Sequence, residues 1–532
     1  MTDTIERTLQ SMSIEQKLGQ LFCIEVNSSI LNSAFEDTIA KYHFGNVGLF
    51  NTFNGTRRQI RQSNQEIERV IMEHCAGIKP IIAVDEEGGC FSQFQDGVTP
   101  TPGNFALGAT QSENDAYSCG WCIGSDLCDL GINMAWAPVL DLCRNPDDPI
   151  VGARSFGDSP QMAARLGIAL SKGLNTGGVG STYKHYPGQG AISTSGDSYR
   201  ELPVSQLPEH QLNSLDGYPF LEAIRQGADC LMVGNVVLSG IPKVERGMPA
   251  TLSRYAITTL LRERYGYDGV VITDNIGLGP THDAFPPQKA ALLAFQAGAD
   301  IITALGSRSP HIVMYNALLS ALKQRIISEE AVNDKVRRVL RLKERLSAYR
   351  EARKPLSEIQ KSLLLRNVAR DSVTLVRDPK GLLPARPAQY PRVLAIVPEM
   401  QAISSADGFA HAECNFGDII SPYYPFVSVQ KIPLSPDEDS IRECLQLAEK
   451  HDLVMICSEN SNEFPLYLHL VNQIAEASPT IVIPLRFAYE VTALHPNATI
   501  VSAFSYMDTS LRAVCDVIRG DAQPRGKLPI HL

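Results

Sequence analysis

The sequence predicts an α/β protein that begins with a TIM-like (β/α)8 barrel and continues into a smaller α/β sandwich domain. Short apolar runs rich in Val, Ile and Leu alternate with longer stretches of helical periodicity, which is typical of βα units with buried parallel strands. Eight such runs occur in the first 305 residues, and eight strands close such a barrel. Polar and ionisable residues also collect at the carboxyl ends of these runs, where barrels of this class hold their active sites.

The eight runs are interpreted as strands in chain order. They are QLFCIEV from Gln20, GNVGLFN from Gly45, PIIAVDE from Pro80, INMAWAPVLD from Ile132, VGSTYKH from Val179, DCLMVGN from Asp229, GVVITDN from Gly269 and ADIITAL from Ala299. The polar residues at or just after their ends are Asp85, Asp141, Lys184, His185, Asn235 and Asp274. We expect these side chains to share the mouth of the barrel.

The second half of the chain repeats the alternation on a smaller scale. Residues 329–353 are highly charged with helical spacing, which predicts a helix that leaves the barrel. The runs RVLAIVP, DLVMICSEN, TIVIPLRFA and ATIVSAFSY then alternate with helical stretches such as SIRECLQLAEK, as in a parallel α/β layer. We expect the barrel over residues 1–345, a helical linker over 346–371 and the sandwich domain over 372–532.

The composition of the chain limits the kinds of partner that we expect it to bind. The formal net charge is −10 and the chain has no run of Lys or Arg, so neither nucleic acid nor a membrane is expected as a partner. The first residues, MTDTIERTLQ, lack the basic and apolar regions of a signal peptide. Twelve cysteines lie scattered without paired spacing, which is typical of reduced thiols and favours a cytoplasmic location.

One group of cysteines has spacing that could suggest redox chemistry or a metal site. Cys119 and Cys122 form a CxxC pair, and Cys128 follows. The segment has helical periodicity and no clustered His accompanies it, so packing of small thiols between helices is the better interpretation. We expect neither a metal nor a cofactor.

Two strand ends carry candidate chemistry. The run YDGVVITDN ends in Asp274, where a nucleophile would face the barrel mouth; the alternative is an aspartate that caps the next helix. In STYKHYPGQG, Lys184 and His185 stand side by side before a Pro/Gly loop. One interpretation is a solvated lysine beside a histidine in the core. The other is a pair that donates hydrogen bonds to sugar hydroxyls, because buried polar groups are costly unless they bind something.

Six spaced motifs resemble the family 3 glycoside hydrolases, most closely the branch of β-N-acetylglucosaminidases. They are VDEEGG from Val84, NMAWAPVLDL from Asn133, GARSFGDSP from Gly152, KHYPGQG from Lys184, MPATLS from Met248 and DGVVITDN from Asp268. Towards the end of the chain, SVTLVRDPKGLLP and GDAQPRGKLPIHL resemble the opening and closing segments of that family's second domain. Several motifs in the right order are far more specific than one.

This resemblance implies a retaining glycosidase in which an aspartate attacks the anomeric carbon and water then opens the covalent glycosyl-enzyme. Asp274 matches the family's nucleophile. Asp85, Arg154, Lys184 and His185 match residues that hold the sugar next to the scissile bond, and Asn235 stands where the branch often has His. A small carbohydrate is therefore the expected ligand, and a homodimer is the one assembly that we consider.

The loop after KHYPGQG departs from the resemblance. The branch carries Asp-Ser/Thr-His there, with the His as general acid/base, whereas this chain has Asp197, Ser198 and Tyr199. A phenol has a reference pKa near ~10 against ~6.5 for imidazole, so Tyr199 is a poor replacement near neutral pH. Asp197 is the preferred candidate for the acid/base, with Glu201 as an alternative, provided that burial raises the pKa of the carboxyl.

Other positions bear on the sugar and on the second domain. Cys90 and Gln93 stand where the branch has Arg, and neither replaces the bidentate contacts of a guanidinium. In some family members the second domain lends an acid to the site, and here Glu459 or Glu463 could do so. The leading hypothesis is release of a terminal β-linked N-acetylhexosamine or a related sugar; the alternatives are a glycoside phosphorylase and a catalytically silent sugar-binding or regulatory protein.

Overall fold

The computed structural model describes residues 2–26, 33–49, 55–94, 97–146, 148, 150–192, 201–277, 279–305, 310–401 and 413–532. The strands of its first part are β1 Phe22–Val26, β2 Asn46–Leu49, β3 Ile81–Val84, β4 Met134–Ala135, β5 Gly180–Ser181, β6 Tyr183–Tyr186, β7 Val204–Ser205, β8 Cys230–Val233, β9 Val237–Leu238, β10 Val270–Thr273 and β11 Ile302–Ala304. All eight predicted runs contain a strand. The Val179 run holds both β5 and β6, which occupy one position in the barrel.

The strands close into a parallel barrel. One sheet has the order β11-β1-β2-β3-β4-β5 and the other has the order β10-β8-β6. Bridges from Ile272 to Ile301 and from Val139 to Lys184 join the two sheets. The predicted barrel is confirmed, although β4 is shorter than its run because Pro138 has no N–H to continue the ladder. β7 and β9 form a small parallel pair apart from the two barrel sheets.

Helices cover the barrel and the second sheet. They are α1 Thr2–Ser11, α2 Ile14–Gly19, α3 Ser33–Tyr42, α4 Arg57–His74, α5 Asn104–Thr110, α6 Glu113–Asp129, α7 Pro160–Gly177, α8 Glu209–Ser214, α9 Tyr218–Arg225, α10 Gly279–Ala284, α11 Pro287–Ala297, α12 Pro310–Lys323, α13 Glu329–Glu351, α14 Glu358–Ser372, α15 Phe416–Ile420, α16 Glu438–Ala448, α17 Pro465–Ala477 and α18 Asp508–Arg519. A π-helix spans Tyr255–Arg264. Among the described helices, none combines the length and the apolar character needed to cross a bilayer.

The second part of the chain is a six-stranded sheet between helices. Its strands are β12 Thr374–Arg377, β13 Arg392–Glu399, β14 Phe426–Pro433, β15 Leu453–Ser458, β16 Thr480–Pro484 and β17 Thr499–Ser502. Their order is β12-β17-β16-β15-β13-β14, and only β12 is antiparallel to its neighbour. The four predicted runs are β13, β15, β16 and β17, so the expected α/β sandwich is present. The expected domain limits stay a prediction.

Aromatic contacts fix the sandwich domain against the barrel. The ring of Phe105 on α5 lies 5.9 Å from that of Phe487 and 5.1 Å from that of Phe504, centroid to centroid. Cys90 and Phe91, in the loop after β3, are buried in the core of the sandwich domain. The loop that follows Asp85 is therefore held by both parts of the chain.

A buried histidine on α12 should make stability depend on pH. The ring of His311 packs edge-on against that of Phe44, and burial lowers its pKa from 6.5 to about 4. Because the unfolded chain takes up the proton first, stability from this group is complete above pH ~6.5 and is lost as the pH falls towards ~4, by up to about 3 kcal/mol. His311→Gln should flatten this part of the curve of unfolding temperature against pH. The same substitution at the partly exposed His282 is the control, and equal slopes in both variants would contradict the prediction.

Candidate active site

A pocket opens at the carboxyl end of the barrel strands and encloses, with its mouth, about 580 Å³. The residues that line it are Asp85, Trp136, Ile150, Arg154, Lys184, His185, Gln189, Met232, Asp274, Asn275, Thr303 and Leu305. Five residues predicted for the site from the sequence therefore meet here. The mixture of apolar wall and convergent charged groups is typical of a small-molecule site.

Asp274 stands directly after β10, with its side chain partly exposed to the pocket. Its backbone N–H donates to the carbonyl of Val233 at 2.9 Å, and its Oδ1 accepts the N–H of Asn275 at 2.6 Å. Burial raises the pKa of Asp274, while His185, the Asn275 N–H and Lys184 limit that rise and Asp85 adds to it. The strand end thus presents one carboxylate oriented by backbone and surrounded by positive groups.

Glu87 organises the cations beside Asp274. The Arg154 guanidinium donates to it through two nitrogens, at 2.8 and 2.7 Å, and Lys184 Nζ lies 2.6 Å from its Oε1. Lys184 also pairs with Asp85. Burial alone would raise the pKa of Glu87, but Arg154 and Lys184 hold it at about 2. This buried carboxylate is ionised, and it fixes the positions of two cations that line the pocket.

His185 is oriented by a second buried carboxylate. Its Nδ1 lies 2.6 Å from Oδ2 of Asp141, which is fully buried. Asp141 also accepts the backbone N–H of Gln189 at 2.9 Å. With Nδ1 held in this way, Nε2 is the ring nitrogen available to a ligand.

Asn235 is placed differently from the other candidates. Its Nδ2 donates to the carbonyl of Asn275 at 3.2 Å, and its Oδ1 accepts from the Thr251 hydroxyl at 2.8 Å. These bonds support the turn that carries Asp274, and Asn235 is not among the residues that line the pocket. Its contact with a sugar stays a prediction.

The candidates for the general acid/base do not line the described wall of the pocket. Asp197 and Tyr199 lie outside the described residues. Glu201 is the first described residue after position 200, and it is exposed. In the second domain, Glu459 is fully buried, with Arg486 Nε 2.8 Å from its Oε1, while the exposed Glu463 accepts from Asn460 at 3.1 Å. Neither glutamate lines the described wall of the pocket.

The roles of Glu87 and Asp141 are not apparent from the sequence alone. In VDEEGG the first and third acids face the cations, whereas Glu86 turns away and accepts from the Ser92 hydroxyl at 2.9 Å. Burial raises the pKa of Glu86 to about 8. The sequence feature that could have identified Glu87 is its spacing of two residues from Asp85, since residues i and i+2 of an extended chain face the same side.

Thiols and carboxylates elsewhere were considered as metal ligands. Cys119, Cys122 and Cys128 are free and lie in the hydrophobic core of the barrel, and burial raises the pKa of Cys122 to about 12. Among the described residues, Glu36, Glu73 and His74 bring ligand atoms within 4.8 Å of one another. Arg69 lies 3.9 Å from Glu36 and 2.7 Å from Glu73, so this surface group is already paired with a cation.

Comparisons with known proteins give the family to which the chain is similar. The family profile described as Glycosyl hydrolase family 3 N terminal domain matches residues 13–342. A β-N-acetylglucosaminidase/β-glucosidase of Cellulomonas fimi is 23% identical over 566 aligned positions, which cover 99% of this chain and 95% of that protein. β-Hexosaminidase A of Pseudoalteromonas piscicida is 30% identical over 329 positions, 58% of this chain and 55% of that one.

Solved structures extend the similarity to the whole chain. A family 3 β-N-acetylglucosaminidase from Paenibacillus sp. str. FPU-7 superposes with a TM-score of 0.91 at 31% identity, covering 98% of this chain and 99% of that one. A β-glucoside phosphorylase superposes with a TM-score of 0.82 at 22% identity, covering 99% and 96%. The second likeness shows the fold alone.

The network around Glu87 predicts a specific pattern of stability. Glu87→Gln removes the anion that Arg154 and Lys184 share and leaves Lys184 its pair with Asp85, which should cost about 3 kcal/mol and lower the unfolding temperature. Adding Lys184→Met removes one of those cations and should recover part of the loss. Glu66→Gln, which breaks the exposed pair with Arg69, is the control and should cost under about 1 kcal/mol. A double variant no more stable than Glu87→Gln would contradict the network.

Proposed function

The chain belongs to glycosyl hydrolase family 3, and from that premise we propose that it releases a terminal β-linked sugar through a covalent intermediate on Asp274. The observation that supports the proposal is the position of the Asp274 carboxylate. The carboxylate lies directly after β10 and faces the pocket beside Lys184, His185 and Arg154. These three side chains can form hydrogen bonds with the hydroxyl groups of a sugar ring. A nucleophile and its binding groups thus share one small cavity.

The proposed reaction has two displacements. In the first, Asp274 attacks the anomeric carbon, the bond to the leaving oxygen breaks, and a general acid protonates that oxygen. In the second displacement, the general acid of the first step acts as a general base and takes a proton from water. The water oxygen attacks the anomeric carbon and releases Asp274. The negative charge of Asp274 also stabilises the oxocarbenium-like character of both transition states.

We propose that Asp85, Arg154, Lys184 and His185 bind the sugar. The two cations, Arg154 and Lys184, donate hydrogen bonds, while Asp85, which is 24% exposed, and the Nε2 of His185, whose Nδ1–H donates to Asp141, accept them. Because Glu87 and Asp141 hold three of these side chains in place, little ordering remains to be done when the sugar binds. Such preorganisation favours the transition state over a loosely bound ground state.

We assign the proton transfer to residues 193–201, with Asp197 as the preferred group and Tyr199 and Glu201 as the other candidates. A carboxyl serves if its pKa lies near the working pH, which burial can achieve. The alternative from the second domain is less favourable, because Glu459 is fully buried beside Arg486 and Glu463 is exposed and bonded to Asn460.

Hydrolysis is favoured over phosphorolysis by the charge balance of the pocket. The two cations lining the described wall are paired, Arg154 with Glu87 and Lys184 with Glu87 and Asp85. Inorganic phosphate would have to compete with these carboxylates for the cations, whereas water, which carries no charge, would not.

For the sugar, we propose an N-acetylhexosamine or a related glycone. The support is the similarity to the Paenibacillus and Cellulomonas enzymes, both named as acting on β-N-acetylglucosaminides. We further propose the cytoplasm as location, supported by twelve free, buried cysteines. Assembly into a homodimer stays a prediction, to be tested by light scattering.

Loss of the nucleophile should abolish turnover. Against a panel of aryl β-glycosides, Asp274→Ala should lower kcat by at least about 10⁴-fold, since no carboxylate remains to form the intermediate. Asp268→Asn, which changes an exposed aspartate at the opposite end of β10, should retain normal rates. Equal activity in the wild type and Asp274→Ala would contradict the assignment. A wild type that binds sugars but cleaves none of them would favour the silent sugar-binding alternative.

Products should distinguish water from phosphate as the acceptor. With saturating phosphate, the wild type should still release the free sugar as its main product, because the cations of the pocket are already paired. Chromatography of the products with and without phosphate measures this directly. A sugar 1-phosphate as the main product would establish phosphorolysis and reject the charge argument.

A further inference from the structure

A larger cleft lies beside the loop that follows β3, and the chemistry described above does not use it. With its mouth it encloses about 1820 Å³. Its walls come from that loop, from α14 and from the turn between β17 and α18. None of its described lining residues lines the pocket that contains Asp274. The cleft is therefore a separate cavity where the two parts of the chain meet, which is a common position for a ligand site.

The lining of the cleft is acidic. Among the described residues that form it are Glu86, Glu358, Glu413 and Asp508, whereas none of them is Lys, Arg or His. Glu358 is paired with Lys361 at 2.7 Å, and it is exposed like Glu413 and Asp508. Exposed acids are common on protein surfaces without a ligand, so the buried Glu86 is the informative member of this group.

Glu86 has one carboxyl oxygen without a partner in the part of the chain that the structure describes. The residue is 1% exposed. Its Oε2 accepts from the hydroxyl of Ser92 at 2.9 Å and from the N–H of Gln93 at 3.3 Å. No described residue donates to its Oε1, and Glu86 lines the cleft. A buried polar atom without a partner is costly, so this oxygen is the one that we expect a ligand to contact.

The charged groups around Glu86 supply no cation to it. Burial raises the pKa of Glu86 to about 8; Glu87 and Asp126 add to the rise, and its two hydrogen bonds oppose it. Glu87 and Asp126 already pair with the nearby cations, which are Arg154, Lys184, Arg57 and Lys361. At neutral pH the Glu86 carboxyl therefore keeps its proton, and a cation placed beside it would favour the ionised form.

We propose that the cleft binds a small organic ammonium ion, whose charged group donates to Oε1 of Glu86. The ammonium supplies the cation that Glu86 lacks, and the exposed carboxylates of Glu413 and Asp508 attract it to the cleft. On binding, the Glu86 carboxyl gives its proton to the buffer, and the ammonium keeps all of its own protons. The proposal does not depend on the function proposed for Asp274.

Apolar side chains in the lining favour an organic cation over a metal ion. Leu365 and the ring of Tyr506 line the cleft together with the acids. Ca²⁺ and Mg²⁺ take roughly six or more oxygen ligands, waters included, and gain nothing from such walls. An ammonium ion with a hydrocarbon or sugar body uses both features, since carboxylates bind its charge and the leucine and the aromatic ring contact its body. Amino sugars and polyamines share this chemistry.

The test titrates the full chain with cyclohexylammonium chloride by isothermal titration calorimetry, with cyclohexanol as the neutral probe of the same shape. Cyclohexylammonium should bind with a Kd on the order of 1 mM, and cyclohexanol at least about 10-fold more weakly. Titrations in two buffers of different ionisation enthalpy should show release of roughly 0.9 proton per amine at pH 7 and about 0.1 at pH 9, where Glu86 is already ionised. Equal affinity for both probes, or no binding of cyclohexylammonium up to about 50 mM, would overturn the proposal.

A matched pair of variants tests the role of Glu86. Glu86→Gln keeps an oxygen that accepts from Ser92 and Gln93 but cannot become charged, so it should weaken binding of cyclohexylammonium at least about 10-fold and abolish the release of the proton. The control is Glu490→Gln, which changes a glutamate of the sandwich domain that is likewise buried and bonded to a serine hydroxyl. It should bind the amine as the wild type does. An unchanged Kd in Glu86→Gln would reject the assignment.

If Glu86→Gln does not fold, α14 offers a second pair of variants. Ser362 is exposed and lines the cleft, so Ser362→Trp should fill part of it and weaken binding at least about 10-fold. Leu363, the next residue, is 56% exposed and is not among the lining residues, so Leu363→Trp should leave the Kd unchanged. The same Kd in both tryptophan variants would overturn the proposal.

Two further titrations locate the amine and identify its source. Asp274→Ala should bind cyclohexylammonium as tightly as the wild type; loss of binding in this variant would place the amine in the other pocket and overturn the proposal. Glucosamine and spermidine, titrated in the same way, distinguish an amino sugar from a polyamine. Whichever of them binds more tightly, with an affinity that Glu86→Gln lowers, is the class of amine that the cleft takes.

Discussion

The ionised carboxylate of Glu87 is the constraint on which the rest of the pocket depends. Arg154 and Lys184 are 7% and 1% exposed, and neither could stay charged at such burial without a close anion. Glu87 bonds to both, so the two cations stand side by side at the barrel mouth. Lys184 also lies beside Asp274 and limits the rise that burial causes in the pKa of that carboxyl.

The same interaction links the pocket to the second domain. The Arg154 guanidinium lies 5.1 Å from the centre of the Phe91 ring, and Phe91 is buried in the core of the sandwich domain. Contacts of Phe105 with Phe487 and Phe504 hold the barrel beside that core. The sandwich domain therefore supports the loop that carries Asp85 and Glu87, whatever else it contributes to the glycosidase.

The fold could be predicted from sequence because each strand is a local apolar run. The barrel strands and most of the second sheet follow this rule. β12 and β14 were missed because they are the edge strands of that sheet and most of their residues are exposed or partly buried. Asp274, Lys184 and His185 were predicted because they stand at the ends of such runs.

The supporting carboxylates could not be predicted in the same way, because their roles depend on partners distant in sequence. Glu87 is 67 residues from Arg154, and Asp141 is 44 from His185. No local pattern specifies such a pair; closure of the barrel brings it together. The bond from Asn235, which stands at a strand end like the others, to the carbonyl of Asn275 likewise joins residues that are 40 positions apart.

The measurement that tests the central claim most directly is identification of the glycosylated residue. The wild type is quenched in acid during turnover of an activated N-acetylhexosaminide or β-glycoside, digested, and analysed by peptide mass spectrometry. The account predicts one peptide, containing Asp274, that is heavier by one sugar residue, and its absence from Asp274→Ala. A sugar attached to another carboxylate, or release of the sugar with inverted anomeric configuration and no such peptide, would contradict it.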